Sequence, residues 1–274
     1  ITNTKCKIIS KIYGVSQDEI VGECYGLNHL SFFKSIKLNG KEIMEELLNN
    51  ERIYKETDMR FFGKDLVNHM GCIMNEYLYY FFYREEAIEH ILSAHITRGE
   101  VIKDINMHMT EELSHMDIEN DFDNCLTVFE KWYGKREDAY MQNETGIKSM
   151  KPKFKFDIYE KDNGGYAGVA LKYIEAELSK EPKDMILCVP NNGAIKGLRD
   201  TDVVEISCTI TQDGFIPHKF DNTNELSMEL IRRVKCYERI ASEAIRNHDR
   251  QKAIDCLMVH PLVNSYTLAK SLVD

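Results

Sequence analysis

The stretch YGLNHLSFF, residues 25–33, sets the reading of the fold. A glycine and the triplet Leu27-Asn28-His29 interrupt two runs of strand-forming residues, so the sequence predicts strands over 20–25 and 30–38. LNGKE at 38–42 is a further turn, with Asn39-Gly40 suited to positive φ. Ahead of this hairpin, Ile8, Ile9 and Ile12 recur at helical spacing and Gly14 is a helix stop.

Downstream the period changes. A short helix is expected over 41–49 and another around 64–70 within a polar stretch. The aromatic-rich NEYLYYFFYREEAIEHIL, 75–92, suits a helix buried on one side, the simpler reading, or a cleft wall. Val101, Ile105, Met109 and Leu113 place one buried stripe on a long helix over 97–117. Helices follow over 121–133 and 136–145, and KSMKPKFKFD, 148–157, reads as an exposed excursion. The helix after residue 163 should turn Val169, Leu171, Ile174 and Leu178 inward. DMILCVP, 184–190, and VVEISCTIT, 203–211, read as strands. A long helix over 224–246 carries Leu226, Leu230, Val234, Tyr237 and Ala241 on one face. Pro261 separates two final helices near 249–258 and 265–273. Hairpin, helices, strands, helices is an α+β order, not a βαβ alternation.

The totals narrow the function classes. The 274 residues are 43% hydrophobic and 29% charged, enough to bury a core. A net charge of −10 argues against nucleic acid as a partner. No apolar run approaches membrane-spanning length, so no membrane association is expected. Eight widely spaced cysteines, with no C-x-x-C pair, read as reduced thiols of a cytoplasmic protein. The first residue is Ile1, followed at once by the apolar-periodic CKIISKIYGV, which reads as the interior of a longer protein. No G-x-G-x-x-G stands at a strand-to-helix junction, so no complete dinucleotide-binding unit is expected in this chain.

Three stretches carry side chains suited to chemistry. In YGLNHL, His29 alone reads more simply as a polar residue at a strand mouth, since one imidazole does not make a metal site. In NGGYAGVAL, 163–171, Gly164 and Gly165 permit a close backbone approach and Tyr166 enters the first turn of a helix. There the helix dipole favours a tyrosinate, although packing of the helix start explains the residue as well. In CVPNNGAIKGLRDTDVVEISC, 188–208, Asn191 and Asn192 are amides able to bind sugar hydroxyls, or simply turn formers.

Taken in order, YGLNHLSFF, ITRGEVI (96–102), GGYAGVAL, NNGAIKGLRDTDVVEISCTIT and HPLVNSYTLAK (260–270) resemble glycoside hydrolase family 4. This is the NAD- and divalent-metal-dependent group that stands apart from two-carboxylate glycosidases. The resemblance spans nearly the whole chain. It implies a C-terminal substrate, metal and oligomerisation domain, residues 1–274, without the family's N-terminal dinucleotide-binding domain. The implied fold is similar to the C-terminal domain of lactate and malate dehydrogenases, with helices packed on a small, mostly antiparallel sheet. The implied reaction hydrolyses a small phosphorylated sugar substrate, a 6-phospho-glycoside. NAD takes a hydride from C3, a tyrosine removes the C2 proton, the glycosidic oxygen leaves, water adds and the hydride returns, with a metal, usually manganese, polarising the C2 and C3 oxygens.

Carried over residue by residue, the resemblance makes His29 a metal ligand, Tyr166 the C2 base, and Asn28, Asn191 and Asn192 substrate contacts. Arg98 has an anion-binding or structural role. The family's other protein ligand, a cysteine, has Thr2 in its place or falls before Ile1; Cys6 does not match. The family's RGGxxYS becomes DNGGYAG, and Tyr79 replaces an arginine. Asn3, where α-specific relatives tend to carry Asp, points to a 6-phospho-β-glucosidase. A homodimer or homotetramer is expected, and the isolated chain should lack turnover because NAD is bound mainly by the missing domain. The alternative is a non-catalytic sugar-phosphate-binding or oligomerising domain derived from this family.

Overall fold

In the computed structural model, residues 2–148, 154–156 and 165–274 are described. Helix α1 (Thr2–Tyr13) leads to β1 (Ile20–Leu27) and β2 (Leu30–Leu38), which pair antiparallel from Ile20↔Leu38 to Leu27↔Leu30. β3 (Lys41–Glu42) folds back on β2 and precedes α2 (Met44–Leu48), α3 (Glu51–Glu56) and α4 (Lys64–Met70). β4 (Ile73–Met74) also pairs with β2. Helices α5 (Tyr79–Phe82), α6 (Arg84–Ser93), α7 (Arg98–Ser114), α8 (Phe122–Asp138), α9 (Gln142–Thr145) and α10 (Gly165–Leu178) follow. The antiparallel strands β5 (Lys183–Pro190), β6 (Val203–Thr211) and β7 (Gly214–Pro217) come next. Three helices end the chain: α11 (Glu225–Asn247), α12 (Arg250–Val259) and α13 (Tyr266–Val273).

The architecture is α+β, with every named strand pair antiparallel. The strands divide between two sheets, β1-β2-β3 with β4 on β2, and β5-β6-β7. The chain separates into two compact units, one of residues 1–82 and 171–274, the other of residues 83–170.

In the first unit β1 and β6 lie side by side without a backbone ladder. The link is made by Ser207, whose hydroxyl accepts from the Cys24 amide at 2.9 Å and donates to the Gly22 carbonyl at 3.1 Å. These bonds sit at the irregularity in the β1–β2 register, where Glu23 pairs with Ser35 but Cys24 pairs with Phe33, leaving Lys34 as the extra residue of a bulge. The core around them holds Cys24, Phe32, Ile36, Met74, Leu78, Ile206, Cys208 and Ile231. The Tyr25 ring packs on Phe32 and Phe220, and its hydroxyl is 2.8 Å from that of Ser227 on α11. Asn224 caps α11 by accepting from the amides of Leu226 and Ser227, a contribution of about 1 kcal/mol.

In the second unit α7 begins with a capping box in which Thr97 and Glu100 satisfy each other's amides. Ile105 is buried and its stripe partners Val101, Met109 and Leu113 are half-buried, as the periodicity implies. α7 packs on α8, where the Trp132 indole N–H donates to Glu112 at 2.6 Å and His108 stacks on the Trp132 ring. The expected excursion at 148–157 lies mostly outside the described residues. Of its described part, Phe154 packs on Tyr133, and the Phe156 amide donates to Glu130.

Four local expectations change. The helix expected at 41–49 starts at Met44, because the Glu42 carboxylate accepts from the Ser35 hydroxyl and the Ile36 and Met44 amides, holding 41–42 against β2. The aromatic-rich stretch breaks into a 3₁₀ turn (Glu76–Leu78), α5 and α6. On α10, Leu171, Ile174 and Leu178 do share a face, but each is half or more exposed, since no described residue covers that face; Ala176 is the buried residue. On α11 the buried set is Ser227, Met228, Ile231, Lys235 and Ala244, not the stripe from Leu226, which is itself exposed. A hydrophobic count cannot register an inward serine and lysine. All eight cysteines are free and six are buried, as their spacing implies.

Candidate functional site

The β1–β2 register leaves only Asn28 and His29 in the connecting turn. His29 adopts φ 67°, a left-handed conformation that histidine enters more readily than most residues. Gly26, at φ 140°, is required beside it: a Cβ there would lie 2.3 Å from the Leu30 carbonyl oxygen. The turn therefore holds Asn28 and His29 exposed at the hairpin tip. The His29 ring packs against Tyr77 at 4.7 Å, and Tyr77 lies nearly parallel to Tyr80 at 6.3 Å. Asn75 positions this aromatic pair. Its side chain accepts from the Tyr77 amide and its own amide donates to the Ser31 carbonyl, both at 3.0 Å.

These residues line a cavity of about 390 Å³. Asn28, His29, Tyr77, Tyr80 and Phe81 come from the hairpin tip and the aromatic turn. Cys188, Val203, Val204 and Glu205 come from β5 and β6, Val234, Lys235 and Glu238 from α11, and His260 from the end of α12. The loop of residues 191–202 sets the start of β6. Asn191 is fully buried; its amide nitrogen donates to the Ile195 and Leu198 carbonyls, and its side-chain oxygen accepts from the Ile195 amide at 2.7 Å. Asp202 accepts from the Arg199 amide and pairs with Arg239 at 2.8 Å. With the loop so fixed, the Val203 carbonyl accepts from the Lys235 ammonium at 2.8 Å, and Lys235, 4% exposed, also pairs with Glu238.

Burial, then the nearby Arg233, lowers the His260 pKa, so this imidazole is neutral near pH 7, and its Nδ1 accepts from the Leu262 amide. Burial, then Glu205, raises the Cys188 thiol, with Lys235 opposing. Cys188 is therefore an uncharged lining group, not a thiolate.

The structure brings Asn28 and His29 together and separates the roles of the adjacent asparagines. Asn192 is exposed at φ 42°. Asn191, expected to contact sugar, spends its amide on its own loop and is a brace. Arg98 and Tyr166 belong to the second unit. The Arg98 guanidinium donates to the Ala139 carbonyl at 2.6 Å and lies over the Tyr140 ring, so of the two roles expected for it the structural one is occupied. Tyr166 is 96% exposed at the start of α10. Gly164 and the Thr2 side chain lie outside the described residues, while Cys6 is a buried thiol raised to about 11. Glu205, Lys235, Glu238 and Cys188 were not singled out from the sequence. Glu205 sits in the quoted VVE segment, whereas nothing local marks Lys235 as inward.

Among the described residues, no three His, Cys, Asp or Glu side chains are arranged to hold a metal. His29 is an accessible imidazole at the hairpin tip, and one imidazole does not make a metal centre. Among the described residues, no helix is long and apolar enough to cross a membrane.

The chain is similar to proteins named for 6-phospho-beta-glucosides and to one named for maltose 6'-phosphate. It is 24% identical over 275 residues to a Bacillus subtilis (strain 168) protein described as "Probable 6-phospho-beta-glucosidase", across 97% of this chain and 55% of that protein. It is 23% identical over 270 residues to 6-phospho-beta-glucosidase BglT of Thermotoga maritima, across 97% of this chain and 56% of that protein. The chain thus spans about half the length of these curated relatives. A solved structure of the Thermotoga maritima 6-phospho-beta glucosidase, with manganese, NAD+ and glucose-6-phosphate, shares the fold at a TM-score of 0.71 and 23% identity. It covers all of this chain and 56% of that one. Residues 24–263 match the family 4 glycosyl hydrolase C-terminal domain, a span that takes in both the hairpin tip at His29 and the far cavity residue His260, and the chain belongs to that family.

Proposed function

We propose that this chain is the substrate- and metal-facing part of a family 4 glycosidase that hydrolyses 6-phospho-glycosides, with 6-phospho-β-glucosides as the preferred class. The observation that carries the reading is His29, presented at a glycine-dependent hairpin tip into a cavity walled by Tyr77 and Tyr80, within the family match. The relatives named for 6-phospho-β-glucosides support the substrate class.

In this reading NAD, bound mainly outside this chain, supplies a hydride acceptor, and a divalent metal, manganese, supplies Lewis acidity. His29 contributes one ligand nitrogen, with the remaining ligands coming from outside the described set. Asn28 and Asn192 offer amide donors and acceptors to sugar hydroxyls, and Asn191 shapes the loop that carries Asn192. Tyr166 accepts the C2 proton; its support is its place in the NGGYAGVAL segment. The assembled enzyme acts in the cytoplasm as a homodimer or homotetramer, and the 274-residue chain alone has no turnover.

The test is hydrolysis of nitrophenyl 6-phospho-α- and β-glucosides by the full-length protein, with and without NAD and manganese. The expected result is β-glucoside cleavage that needs both additions and is lost in His29→Ala. Cleavage independent of NAD, or of neither substrate, would overturn it.

A further inference from the structure

Glu205 is the one ionised group of the cavity that is not neutralised within it. It lies opposite Cys188 in the β5–β6 register, both line the cavity, and the Glu205 carboxylate makes no hydrogen bond or ion pair with any described residue. The other charges there cancel. Lys235 is paired with Glu238 and donates to the Val203 carbonyl, while Cys188 and His260 are held neutral. Without a bound cation the described lining of the cavity therefore carries a net charge of about −1 near pH 7, which repels a phosphate dianion.

The same carboxylate is well suited to hydroxyl groups. It has two oxygens and only accepts, and hydrogen bonds to an ionised acceptor are roughly twice as strong as neutral ones. Neighbouring hydroxyls on a pyranose ring can engage both oxygens at once. The near-parallel faces of Tyr77 and Tyr80 supply electron-rich surfaces for the ring's C–H edges. A volume of about 390 Å³ falls within the range of small-molecule sites, roughly 300–1,000 Å³.

We propose that Glu205 determines specificity in this cavity: its carboxylate takes a pair of neighbouring hydroxyls on an uncharged sugar ring packed against Tyr77 and Tyr80, and excludes phosphate. The proposal rests on the glycosidase reading and adds that a 6-phosphate, where the substrate carries one, is held outside this cavity.

Saturation-transfer NMR and calorimetry on the 274-residue chain test it, with methyl β-glucoside, glucose 6-phosphate and inorganic phosphate as probes. Methyl β-glucoside should bind, a tenfold excess of inorganic phosphate should not displace it, and Glu205→Gln should weaken it at least tenfold with an unchanged melting temperature. Displacement by inorganic phosphate, or Glu205→Gln binding within twofold of the unaltered chain, overturns the proposal alone. Binding of neither sugar by the 274-residue chain overturns this proposal, whereas the glycosidase reading stands or falls with the full-length assay. If Glu205→Gln does not fold, the phosphate competition on the unaltered chain decides.

Discussion

Ser207 and Cys24, 183 residues apart, are joined by a 2.9 Å hydrogen bond from the Cys24 amide to the Ser207 hydroxyl, which in turn donates to the Gly22 carbonyl. One side chain thus satisfies a donor and an acceptor of β1 beside its bulge, in place of the ladder that β1 and β6 do not form. Ser207→Ala strands both groups in the core, so urea unfolding should show a loss of about 2–3 kcal/mol. Ser93→Ala, at an exposed position on α6, is the control and should fall within about 0.5 kcal/mol of the unaltered chain. Equal effects of the two substitutions would show that Ser207 is not the tie between the sheets.

The backbone at His29 separates its conformational cost from its side-chain role. His29→Ala and His29→Gly both remove the imidazole and its contact with Tyr77, but only glycine relieves the φ of 67°. His29→Gly should be more stable than His29→Ala by about 1 kcal/mol, read from denaturation midpoints at equal slopes. Both should be equally deficient in activity in the full-length protein. An alanine variant as stable as the glycine variant would contradict the left-handed turn.

The adjacent asparagines should respond oppositely. Asn191→Ala leaves the buried Ile195 amide and the half-buried Leu198 carbonyl without their partner and should cost about 2–3 kcal/mol in unfolding free energy. Asn192→Gly keeps the positive φ and should change stability by less than about 1 kcal/mol. Its effect should appear instead in the KM of the full-length enzyme.

His260 gives the cavity a pH dependence of known sign. Its folded pKa lies below the ordinary 6.5 because of burial, then Arg233. The unfolded chain therefore binds the proton first as pH falls. The contribution is fully present above about 6.5 and is lost as pH drops through the lowered folded value. Urea midpoints measured from pH 8 to 5 should fall more steeply for the unaltered chain than for His260→Gln, the difference opening below pH 6.5. Parallel curves would mean that folding does not lower the His260 pKa.

Much of this protein is written locally. Two strand runs around Gly26-Leu27-Asn28-His29, with Asn39-Gly40 after them, specify the hairpin, because turn geometry depends on residues within a few positions; the structure extends the first strand to Leu27 and leaves Asn28 and His29 as the turn. The caps of α7 and α11 and the ends of the last two helices follow from similarly short-range bonds, and the ordered motifs mark the family. Tertiary structure alone decided which face of α11 is buried, that Asn191 braces while Asn192 is exposed, that β1 and β6 meet through Ser207, and that Glu205 shares a cavity with His29. Each of these depends on a partner distant in sequence. A polar side chain acquires its role from the donor or acceptor that folding brings to it, and Lys235, polar by composition yet buried against Val203, has no local signal that would reveal it.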